Sequence, residues 1–102
     1  MYRASDERDN AEWLADLETA ADRLDLGSAA RSRARDVFLS AVPESDHSKQ
    51  TTLAASLYVG ALVAGEQRPQ GEVAEAVGVS RLAVHQLCKS LLDATGLDAP
   101  DW

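Results

Sequence analysis

The chain has 102 residues, 45% of them apolar, with 17 acidic side chains against 10 basic ones and a formal net charge of −7. That length and composition suit one folded domain with a single core and argue against disorder. They exclude a membrane-spanning segment, which needs about 20 consecutive apolar residues, and the lone cysteine excludes an internal disulfide and a cysteine-based zinc site.

Five segments carry helical periodicity, and none alternates with the period of a strand. In the first, Trp13, Leu17, Ala20, Ala21 and Leu24 share a face, and "LGS" at 26–28 ends it. Gly27 is available there for a left-handed C′ residue and Ser28 for the next N-cap. In the second, Ala30, Ala34, Val37, Phe38 and Ala41 repeat the pattern until Pro43 stops it. The third, from about Lys49 to Ala64, contains the nearly uncharged "TTLAASLYVGALVA". A helix apolar on most sides is buried on most sides, so it is expected to be the central post, with Ala54, Ala55, Gly60 and Ala61 admitting close neighbours. The fourth, Pro69 to Val77, places Pro in the first turn and turns Val73, Ala74 and Val77 inward. Gly78 closes it, Val79 packs on the turn, Ser80 caps the fifth helix, and Val84, Leu87, Cys88 and Leu91 form that helix's inner stripe. The fold class is all-α, a five-helix orthogonal bundle around the third helix.

Ala74, Gly78 and Val84 meet the needs of a helix-turn-helix over about 69–95: a small residue at the crossing, a left-handed turn residue and a buried anchor. Taking away the inner stripe leaves Arg81, Leu82, His85, Gln86 and Lys89 on the outer face of the last helix. Arg and Gln bond guanine and adenine edges in a major groove, and Lys89 suits a phosphate. The same residue types also populate an ordinary solvated face. His85 and Cys88 stand three apart, but Cys88 falls on the inner stripe, where a thiol is an inert apolar group. No paired carboxylates, phosphate-cradling loop or nucleophile elbow is present, so no enzyme is expected. With His47 and His85 far apart, no metal is expected either.

Residues 1–46 hold eleven acids and six arginines, whereas residues 47–95 balance Lys49, Arg68, Arg81 and Lys89 against Glu66, Glu72, Glu75 and Asp93. The acid therefore lies mainly outside the turn motif's half. Only Lys49 and Lys89 accompany eight arginines, a scarcity of lysine typical of proteins in salt-accumulating halophiles; an ordinary acidic mesophilic domain is the alternative. The polar opening "MYRASDERDN" is no signal peptide, and a cytoplasmic location is expected.

Ala54-Ala55-x-x-Tyr58, Gly65-Glu66-x-Arg68, and Gln70-x-x-Val73-Ala74 followed by Gly78-Val79-Ser80 resemble a cyclin-like repeat of the archaeal transcription initiation factor B family, relatives of eukaryotic transcription factor IIB. "YRASDERDN" and "GLDAPDW" look like the edges of a C-terminal repeat of haloarchaeal type, so the resemblance covers nearly the whole chain. It implies promoter double-stranded DNA as a partner, read beside the TATA box together with TATA-binding protein, and RNA polymerase indirectly; it implies no cofactor. On matching positions it makes Ser80, Arg81, His85, Gln86 and Lys89 the DNA-facing set, with Gln70 near a backbone phosphate. The family's zinc ribbon and second repeat are not in this sequence, and Pro69 stands where the family commonly has Ser or Thr. The chain is expected to be an excised domain rather than a stand-alone paralogue. A protein-docking module, with Leu82 as a contact, is the second function class.

Overall fold

A computed structural model describes residues 11–40 and 46–95 as five helices, with no strand among the described residues. They are α1 (Ala11–Arg23), α2 (Ser28–Ser40), α3 (Asp46–Val63), α4 (Gln70–Val77) and α5 (Arg81–Thr95). The architecture is an all-helical bundle consistent with a cyclin-like repeat. As the sequence predicts, α3 is the post: it packs against each of the other four helices, and every residue from Thr52 to Ala61 is buried.

The α1 end differs from expectation. Asp25 (φ 54°), not Gly27, takes the left-handed conformation. The Leu26 N–H then bonds the Ala21 carbonyl at 3.0 Å, closing a Schellman turn. Gly27 serves two other purposes: its carbonyl accepts the first N–H of α2 from Arg31 at 3.2 Å, and its own N–H bonds Glu66 Oε1 at 2.9 Å. Gly27 thus holds the cap position predicted for Ser28, and Ser28 lies inside α2. Pro43, expected to stop α2, lies outside the described residues. Pro69 (ψ 142°) sits one residue before α4 rather than in its first turn; its carbonyl accepts from both Glu72 and Val73 at 3.1 Å.

The inner side of α5 is also shifted. Val84, Cys88 and Leu92 are fully buried, whereas Leu87 and Leu91 are half-buried and pack on the core's edge. Adjacent leucines at 91 and 92 both continue a helical stripe from Val84, and only the tertiary packing chooses between them.

Burial pushes the Cys88 thiol from its ordinary 9.0 up to about 12, and its Sγ lies 3.8 Å from the Ala55 carbonyl. Because the folded-state value is the raised one, the stabilising effect is complete below the ordinary thiol value. It is lost as pH climbs through the window between the two, where the unfolded chain ionises and the folded one does not. Melting temperature is therefore expected to fall more steeply between pH 9 and about 12 in the natural chain than in Cys88→Ala. The limiting slope is about 1.4 kcal/mol per pH unit. Parallel curves for the two proteins would show that the thiol is not desolvated.

Candidate nucleic-acid interface

The α4–turn–α5 unit is built from local rules. Gly78 adopts φ 90°, ψ 36°, and the Gly78 and Val79 N–H groups both reach the Ala74 carbonyl, at 2.8 and 3.0 Å. The chain reverses there, and Ser80 starts α5 by accepting the Ala83 N–H on Oγ at 3.1 Å. The Ser80 hydroxyl oxygen thus has a structural duty in addition to its exposed position.

Two distant side chains fix this same, C-terminal end of α4. Arg23 of α1 donates from Nη1 to the Ala76 carbonyl at 2.8 Å, and Gln50 of α3 donates from Nε2 to the Val77 carbonyl at 3.1 Å. They satisfy last-turn carbonyls that a helix cannot pair internally, and the guanidinium also suits the negative end of the helix dipole. Neither role is visible in sequence, since nothing local marks a partner 53 or 27 residues away.

With one side of α5 locked to the core, Arg81, Leu82, Gln86 and Lys89 are exposed together. Leu82, Gln86 and Lys89, spaced i, i+4 and i+7, share one face, whereas Arg81 lies in line with the buried stripe and is exposed because it is the first residue of α5. The Arg81 stem passes over the first turn of α4, its Cδ within 3.8 Å of where a Gly71 side chain would begin. Leu82 is 66% exposed, an apolar group among cations and an amide.

Two of the predicted residues are placed differently. Gln70 is only 7% exposed, its side chain beneath α5 rather than at the surface, with Oε1 3.0 Å from His85 Nδ1. His85 is correspondingly half-buried instead of pointing fully outward. A polar residue opening a helix reads as exposed in sequence; α5 folding across the start of α4 is what buries it.

The electrostatics also change on folding. Arg68, counted from sequence among the cations of the motif's half, is turned inward. Its Nε donates to Leu24 O at 3.0 Å, Nη1 to Glu66 O at 2.8 Å and Nη2 to Asp25 O at 3.1 Å. On the far side, Arg31 Nη1 bridges Asp22 at 2.7 Å and Glu18 at 3.1 Å, and those hydrogen bonds raise the guanidinium above its ordinary value. The exposed α5 face therefore presents Arg81 and Lys89, while Glu12, Asp16, Glu18 and Asp22 are exposed on α1. Among the described residues no cluster of His, Cys, Asp and Glu is placed to hold a metal ion, and no helix is long and apolar enough to cross a membrane.

No protein-family model matches the chain. It is 35% identical over 83 residues to transcription initiation factor IIB of Pyrococcus abyssi, and equally so to that of Pyrococcus horikoshii. It is 30% identical over 82 residues to transcription initiation factor IIB 2 of Thermococcus kodakarensis. These matches take in 78% of the chain but only 27–28% of each relative, so the chain spans little more than a quarter of their length. Over most of its residues, this chain is related to the transcription initiation factor IIB family of archaea.

Proposed function

We propose that the α4–turn–α5 unit is a helix-turn-helix that lays α5 in the major groove of promoter DNA, beside the TATA box and together with TATA-binding protein, as part of transcription initiation. The observation that carries this reading is the two-sidedness of α5. Val84, Cys88 and Leu92 are fully buried on one side, Leu82, Gln86 and Lys89 stand exposed away from it, and Arg81 is exposed at the first residue of the helix. Arg81 and Gln86 are the base-reading candidates, Lys89 a phosphate contact, and Ser80 and His85 flank them. The kinship with initiation factors supports the process. The scarcity of lysine supports a halophilic setting.

Arg81→Ala and Gln86→Ala are expected to leave stability within about 0.5 kcal/mol, as exposed substitutions do, while discrimination at a contacted base falls by about 1–3 kcal/mol. Lys89→Ala is expected to weaken all sequences alike. With Arg68 turned inward, the α5 face offers Arg81 and Lys89 to phosphates, so log K should fall by no more than about 2 per decade of salt. Repulsion from the acidic α1, screened near 1 M salt, reduces that slope further. Useful affinity is expected only with TATA-binding protein already on the duplex, where the second contact acts at high effective concentration. A fluorescence-anisotropy titration from about 0.2 to 2 M potassium chloride, with and without that protein, checks these points. A steep negative slope without the partner contradicts the reading. The exposure of Leu82 favours a second reading, a protein-docking face. Unchanged DNA binding in the Arg81, Gln86 and Lys89 triple alanine variant would select it.

A further inference from the structure

Gln70 is a polar side chain in a place where an apolar one would be less costly. It is 7% exposed, its Nε2 makes no hydrogen bond, and its Oε1 lies 3.0 Å from His85 Nδ1. Burying an amide with one of its two polar ends unpaired is unfavourable, and an apolar side chain of similar shape would remove that cost. The contact Gln70 does make falls on a ring carried by the candidate reading face. An amide oxygen has no proton, so it can only accept, and the hydrogen of this contact must sit on Nδ1. The neutral ring then carries its lone pair on Nε2, the opposite nitrogen.

We propose that Gln70 is a positioning residue, whose buried amide oxygen holds His85 in the Nδ1–H tautomer and so makes Nε2 the accepting nitrogen of the ring. The choice matters in a major groove. An accepting nitrogen matches the exocyclic amines of adenine and cytosine, whereas a donating one matches guanine N7 and O6, thymine O4 and adenine N7. The tautomer therefore separates cytosine from guanine and thymine, and changes which adenine atom is met. That consequence rests on the DNA-reading function of α5; the tautomer does not.

The test separates the two. Long-range proton–nitrogen correlation spectra of the whole chain with 15N-labelled histidine, recorded on the neutral ring without DNA, report which nitrogen is protonated. His85→Ala identifies the signals of His85 against those of His47. A protonated Nδ1 in the natural chain, giving way to Nε2–H in Gln70→Met, is the expected result. Nε2–H in the natural chain would mean that the amide presents its nitrogen to the ring, and it overturns the proposal. An Nδ1–H form that persists in Gln70→Met overturns it too. The binding arm uses a duplex spanning the TATA box and the bases just upstream, with TATA-binding protein present. Gln70→Met and His85→Ala are each expected to lose about 2- to 10-fold in preference for an amine-bearing base at the contacted position, the range of one hydrogen bond. The double variant should lose no more than His85→Ala alone. If the spectra behave as expected but neither variant alters base preference, the tautomer assignment stands and its consequence for base reading is overturned. Failure of the DNA-reading function itself shows instead as unchanged binding in the Arg81, Gln86 and Lys89 triple alanine variant.

Discussion

Gly60→Ala is expected to destabilise the fold by about 2 kcal/mol or more, although alanine is the better helix former by about 1 kcal/mol. Gly60 lies at the crossing of α3 and α2, opposite Ala30 and Ala34, both fully buried. A Cβ placed there would meet the Ala34 nitrogen at 2.5 Å, its Cα at 2.7 Å and the Ala30 carbonyl oxygen at 2.9 Å. All three are backbone atoms of a packed helix, so no side chain can swing aside and α2 as a whole must move. Overpacking of this kind typically costs about 1–3 kcal/mol and outweighs the gain in propensity. Gly60→Val adds two further methyl groups to that Cβ and is expected to prevent stable folding. Gly71→Ala is the control: its Cβ would meet only the Arg81 Cδ, at an ordinary 3.8 Å, so the change should be neutral or slightly stabilising. Urea midpoints of the three variants decide the matter. A midpoint for Gly60→Ala at or above that of the natural chain would mean that α2 and α3 do not approach so closely.

That crossing was legible in sequence because small residues in an apolar helix mark close approach. The turn was legible for the same kind of reason. Gly78, Val79 and Ser80 act through their own backbone and cap bonds, so each role can be read within a few residues. What escaped the sequence depends on partners far along the chain. The anchors Arg23 and Gln50 are an arginine at the end of an amphipathic helix and a glutamine in the polar first turns of an apolar one until α4 arrives above them. Leu92 replaces Leu91 as the buried residue because packing, not periodicity, selects between neighbours. Asp25 displaces Gly27 from the left-handed position because Gly27 is held by Glu66 and opens α2. On the candidate face, the exposure of Gln86 and Lys89 followed from subtracting an approximate inner stripe, which tolerated an error of one leucine, whereas Arg81 is exposed because it begins the helix. The burial of Gln70 did not follow, since it is α5 crossing α4 that covers it.

Arg68 carries the same lesson to an expected result. From sequence it is one of four cations in a neutral half, free in principle to meet a phosphate. In the fold its guanidinium joins two turns: the end of α1, through the Leu24 and Asp25 carbonyls, and the segment after α3, through Glu66 and, more weakly at 3.4 Å, Gln67. Glu66 completes the joint from the other side by accepting the Gly27 N–H. A planar fork with five donors is the side chain that can serve several carbonyls at once. Hydrogen bonds to a charged donor contribute about 1.5–3 kcal/mol each when desolvated, and this half-buried site retains some water, so Arg68→Ala is expected to cost about 2–4 kcal/mol in total. Arg68→Lys keeps the charge but offers a single ammonium in place of the fork, and should recover no more than about a third of the loss. Urea unfolding measures both. The DNA titration then assigns the charge. If Arg68 acts only within the fold, Arg68→Lys and Arg68→Ala, measured where both remain folded, leave the salt slope of DNA binding and the base preference unchanged. A slope shallower by about 0.9 in Arg68→Ala alone, without a comparable loss of stability, would instead place Arg68 on a phosphate and undo the account of a face limited to Arg81 and Lys89.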